Sequence, residues 1–156
     1  MTIEDDDREE VLLRALEGVQ AIVCFHTGRD LPRYVAPMLR EPTPPIGQLF
    51  GARFSDLFEM ARAANPAIED GAVMIGRERV GEPFQVRGWS YRLYPPPSFV
   101  AGLPNMGSGF NSCLELSVVP NVDLVAKSSD HGLYLFERGN WSLVRKPAPS
   151  LAMGWR

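Results

Sequence analysis

The chain has 156 residues, 45% of them apolar and 22% charged, with a net charge of −3. Those values describe one globular domain long enough to bury a core, and they exclude the clustered basic surface that duplex nucleic acid demands. Two distant cysteines, Cys24 and Cys113, exclude a disulfide scaffold and suit a reducing cytosol. No apolar run reaches the length of a membrane span, and the acidic start MTIEDDDREE is unlike a secretory leader. The expectation is a cytoplasmic protein with neither DNA or RNA nor a membrane as partner.

In chain order, the acidic residues 4–10 open a helix, where negative charge suits the positive end of the dipole. Val11, Leu12, Ala15, Leu16 and Val19 give it one apolar stripe. Residues 21–25, AIVCF, read as a central strand covered on both faces. Cys24 and His26 share one face of it; a lone Cys–His pair is packing rather than a metal site. Prolines at 32, 37, 42, 44 and 45 leave little regular structure before a second helix at 54–65, with Ser55 as its N-cap and Pro66 as its stop.

The stretch 68–80, IEDGAVMIGRERV, reads as a turn feeding a buried strand and then reversing. Gly71 lets backbone approach closely. Asp70 is placed to hold a cation or a ribose hydroxyl, or is a turn acid bonding its own backbone. Arg77-Glu78-Arg79 is a solvated turn. Residues 84–93 form a strand with a bulge at Gly88, and Tyr94-Pro95-Pro96-Pro97 an extended loop. A short helix is expected at 113–119, a strand at 122–126, a polar turn at 128–132, and a hairpin from 133–136 and 141–144. The tryptophans Trp89, Trp141 and Trp155 are packing residues. The sum is an α/β fold, a central mixed sheet flanked by helices, in a single domain over 1–156 with its core at about 10–145 and a tail at 146–156.

The order of these pieces resembles the diadenylate cyclase domain family. Asp70-Gly71-Ala72-Val73-Met74-Ile75 is similar to that family's Asp-Gly-Ala-(Val/Ile)-Ile-Ile, Tyr94-Pro95 to its Leu-Pro, and Met106-Gly107-Ser108 to its Leu-Gly-Thr. Residues 128–132 resemble its Ser-Glu-Glu-Thr-Gly turn. The departure is at Gly109-Phe110-Asn111, where the family has Arg-His-Arg to hold ATP phosphates.

The resemblance implies a nucleotide site. Asp70, Gly71 and Ala72 would line its ribose or metal side, and Tyr94 would pack on the base. Gly107, Ser108, Gly109 and Asn111 would face phosphate through a helix start, and Ser128, Ser129 and Asp130 would close the site. With the arginines gone, the first reading is a catalytically degenerate domain binding a nucleotide or cyclic dinucleotide as a sensor, acting through a homodimer or a separate effector. The second is an active enzyme joining two ATP with Mg²⁺ or Mn²⁺. It would use Asp70 and Asp130 as carboxylates, Asp70 holding the metal, and Arg87, Arg92 or Lys127 in place of the lost arginines. The third is an interaction domain with no ligand.

Overall fold

Strands that alternate apolar side chains between two faces bury both only if helices cover each side. That arrangement is found in the computed structural model, which describes residues 3–4, 6–95 and 106–145. Seven strands form one mixed sheet in the order β2-β4-β3-β1-β5-β6-β7. They are β1 (Ile22–Thr27), β2 (Val35–Pro37), β3 (Ala72–Arg77), β4 (Gln85–Leu93), β5 (Val122–Ser129), β6 (Gly132–Glu137) and β7 (Asn140–Arg145). Only β1 and β3 pair in parallel; every other neighbour is antiparallel.

The helices α1 (Arg8–Ala15) and α2 (Phe54–Ala64) cover one face, with a 3₁₀ turn at Pro66–Glu69. Their Leu12, Phe54 and Phe58 pack on Val23, Phe25, Val73, Ile75 and Leu124. The helix α3 (Ser108–Leu116) covers the other face, its Phe110, Cys113 and Leu116 meeting Cys24, Met74, Val125 and Phe136. Trp89 is core, stacked on Phe54 with its indole N–H donating to the Pro45 carbonyl at 2.8 Å. Trp141 packs edge-on against Phe110 and is 44% exposed. Trp155, the 146–156 tail and Pro96-Pro97 of the extended loop lie outside the described residues.

Four expectations are corrected. Arg53, not Ser55, precedes α2, with no side-chain cap. The third helix starts five residues earlier than position 113, because burial of Phe110 recruits the polar residues before it. Ser128 and Ser129 belong to β5, so the turn is only Asp130-His131. Arg77 is not solvated: it ends β3 at 1% exposure, paired with Glu4. The bulge at Gly88 is present, with register shifts on both sides of the Met74–Gly88 pair.

Candidate functional site

Parallel pairing of β1 with β3 brings the starts of both strands to one end of the sheet, and antiparallel pairing brings the ends of β5 and β4 there too. A single rung crosses them: Lys127 pairs with Ile22, Ile22 with Ala72, and Ala72 with Tyr91. That rung floors a cleft of about 730 Å³, roofed by the first turn of α3 through Ser108, Gly109 and Ser112. The size falls within the about 300–1,000 Å³ usual for small-ligand pockets.

The structure gathers residues from three separate stretches of the expected site. Asp70, Gly71 and Ala72 line the cleft from the entry to β3, Ser108 and Gly109 from α3, and Ser128, Ser129 and Asp130 from the β5 end. Three expected residues are not in the lining. Tyr94 is half-exposed and packs edge-on against Tyr34 at 6.2 Å, so Tyr91 is the aromatic that faces the cleft. Gly107 is the residue before α3, with φ of 96°, and Asn111 points its Oδ1 into a buried position without a partner. Phe110, in place of the family's histidine, is core: its ring meets Phe136, Trp141 and Tyr134 edge-on at 4.8, 5.2 and 5.5 Å.

Gly71 has φ of 92°, and a Cβ there would lie 2.5 Å from Met38 Cε and 2.8 Å from the Tyr91 carbonyl. The missing Cβ therefore makes room for Met38 and the β4 backbone. Asp70 is anchored through its backbone: Ser90 Oγ donates to its carbonyl at 2.6 Å. Its carboxylate lies 3.6 Å from Arg40 Nη2, and Arg40 Nε donates to Ser90 Oγ at 3.0 Å. Ser128 and Ser129 donate to the carbonyls of Leu16 and Gly132, and Gln20 Nε2 donates to Asp130 Oδ1 at 2.6 Å.

Of the three cations that could replace the lost arginines, Arg92 and Lys127 line the cleft and Arg87 does not. Lys127 lies under α3, its Cε 3.7 Å from where a Gly109 side chain would begin. The α3 first turn holds no acidic residue and no side-chain cap, so its N–H groups are unmatched by protein charge. Burial raises the Tyr91 phenol above its ordinary value and pushes the Cys113 thiol up to about 12, with the Lys127 charge pulling it down. Cys24 is likewise raised by burial, so both thiols are packing groups rather than nucleophiles. Tyr91, Met38, Leu93 and Gln20 were not singled out from sequence; the β3–β4 register that places Tyr91 depends on two bulges.

Among the described residues, no group of three or more His, Cys, Asp or Glu is placed to hold a metal ion. Asp70, which the resemblance assigns to a divalent cation, is 80% exposed with Arg40 at 3.6 Å, and Asp130 accepts a hydrogen bond from Gln20. The described residues therefore offer no carboxylate cluster that would bind Mg²⁺ or Mn²⁺ by protein groups alone.

The fold and cleft define a mixed α/β domain with an open pocket of mixed charge at one end of its sheet. No family model and no curated protein matches the chain. Among solved structures it is similar to a hypothetical membrane spanning protein from Bacillus cereus, with a TM-score of 0.58 at 14% identity. The match covers 90% of this chain and 64% of that one, and at such identity it speaks to the fold alone. Among the described residues of this chain, no helix is long and apolar enough to cross a membrane.

Proposed function

We propose that the protein is a nucleotide-binding module that holds a nucleotide or cyclic dinucleotide in the cleft as a cytoplasmic sensor, without the catalysis of the diadenylate cyclase family it resembles. The observation that carries this is convergence: Asp70 to Ala72, Ser108 with Gly109, and Ser128 to Asp130 are far apart in sequence and line one cavity. Phe110 buried in the core supports the loss of catalysis, because a side chain packed on Phe136 cannot be replaced by a phosphate-holding one without opening the core. Ligand state would be passed on through a second copy or a separate effector.

Calorimetry with ATP, GTP and cyclic dinucleotides tests the reading, alongside Gly109→Glu. A glutamate at Gly109 places its carboxylate beside Lys127 and the start of α3, where acid is favourable. The variant keeps its stability and loses ligand binding. No binding and no melting shift at millimolar ligand in the parent protein would favour an interaction domain instead.

Catalysis is a second reading, favoured by Arg92 and Lys127 in the lining. Incubation with ATP and Mn²⁺ separates the two. The sensor reading expects no cyclic product, and an Asp70-dependent product would overturn it.

A further inference from the structure

A nucleotide triphosphate usually enters a site with a divalent cation that offsets its charge. The charges of this cleft are arranged for a different guest. Glu69 is ion-paired with Arg62, which also meets Glu59, and Asp70 lies 3.6 Å from Arg40, so each of the two carboxylates has a cation outside the lining. Asp130 takes its hydrogen bond from the neutral Gln20. Arg92 and Lys127 remain, and the side chain of neither makes an ion pair or hydrogen bond among the described residues.

They also come from places where the resemblance asks for no cation. Lys127 lies within β5, on the rung with Ile22 and Ala72, and Arg92 lies near the end of β4, paired with Ala36. One stands on each side of the β1–β3 floor, Lys127 on β5 and Arg92 on β4.

Resting on the nucleotide reading above, we infer that Lys127 and Arg92 take the place of the divalent cation. The ligand is then a phosphate monoester or diester carrying one or two negative charges, bound without Mg²⁺ or Mn²⁺. A nucleoside monophosphate and a cyclic dinucleotide share that chemistry. A fixed ammonium and guanidinium match about two charges, less the one that Asp130 brings to the lining; a free triphosphate carries more than they offset.

The test is calorimetry on the full chain with AMP, cyclic di-AMP and ATP, each in EDTA and again in Mn²⁺. AMP or cyclic di-AMP binds equally in both, and which of the two binds identifies monoester or diester. ATP binds at least tenfold more weakly than the preferred probe. Lys127→Gln weakens that probe about tenfold, as loss of one charge-assisted bond does, and Lys127→Arg restores most of it. Circular dichroism checks that each variant is folded, and Arg92→Gln, on an exposed strand end, repeats the measurement at a second position. Binding of ATP that needs Mn²⁺ and vanishes in EDTA overturns the inference and leaves the nucleotide reading standing. No binding by any probe in either condition overturns both. A probe that binds with unchanged affinity in both variants removes the two cations from the site.

Discussion

The two ends of the sheet handle positive charge in opposite ways. Where β1 and β3 finish, Arg77 is 1% exposed and fully matched by the fold. Its Nη2 lies 2.7 Å from Glu4 Oε1, its Nε donates to Thr27 Oγ1 at 2.9 Å, and its guanidinium sits over the Phe84 ring at 4.3 Å. Thr27 Oγ1 in turn donates a hydrogen bond to Asp123 Oδ2 at 2.6 Å. Beside this network, Arg8 makes two hydrogen bonds of 3.0 Å to Glu137. A cavity of about 470 Å³ lies there too, lined by Glu4, Arg8 and Glu137 already in use. Where β1 and β3 begin, Lys127 and Arg92 face a larger cleft with no such partners. A cation whose counter-charge is supplied within the fold is architecture. A cation left without one at a concave surface is available to a ligand.

The largest expected effect is at the closed end. Arg77→Met removes the charge that Glu4 meets and leaves the Thr27 hydroxyl oxygen without its donor. Breaking a buried pair costs about 3–5 kcal/mol. Glu4 is half-exposed, which puts this case near the lower bound, at about 3 kcal/mol. Urea unfolding reads the loss, and ligand affinity at the other end stays unchanged. A midpoint equal to the parent's would mean the network contributes nothing, and the contrast between the two ends would fail.

His26 sharpens the same end by excluding charge from it. It is 1% exposed, with neither ring nitrogen hydrogen-bonded, and it packs against Gly76 and Arg87. Burial first, then the Arg87 charge, lowers its pKa from 6.5 to about 4. The unfolded chain therefore takes up a proton that the fold refuses. Stability is full above pH 6.5 and falls as pH drops toward 4, by at most about 3 kcal/mol at about 1.4 kcal/mol per unit. Urea midpoints between pH 7 and 4.5 trace that slope, and His26→Leu flattens it. Equal slopes in the two proteins would show that the ring is protonated within the fold.

Much of the sheet was legible from local pattern, because strands buried on both faces read as unbroken apolar runs, as at residues 21–25 and 72–75. The lining from Asp70 to Ala72 and from Ser128 to Asp130 was legible only through the order of short matches along the chain. What stayed hidden depends on distant partners. A charged tripeptide reads as a turn until Glu4, 73 residues away, buries its first arginine. Tyr91 rather than Tyr94 reaches the cleft because bulges on both sides of Gly88, with Ser90 at φ of 61°, reset which side chains face it. The start of α3 was obscured because Gly109 and Asn111 are weak helix formers, and the packing of Phe110 on β6 and β7 overrides that weakness.

The smallest expected effect has the opposite sign from the first. In the free protein, Lys127 lies beside the positive end of α3, whose first turn holds no acid. Lys127→Gln removes a like-charge interaction and sacrifices no ion pair. It should raise stability by about 0.5 kcal/mol at low ionic strength. Salt at 1 M should erase the gain, since the Debye length then falls to about 3 Å. Addition of the bound probe reverses the order, because the parent gains about 2.7 kcal/mol at a hundred times its Kd and the variant gains less. A loss above about 1 kcal/mol in the free variant would mean that Lys127 already has its counter-charge inside the fold. The cleft would then be a second closed network, built like the one around Arg77, and its cations would no longer point to a ligand.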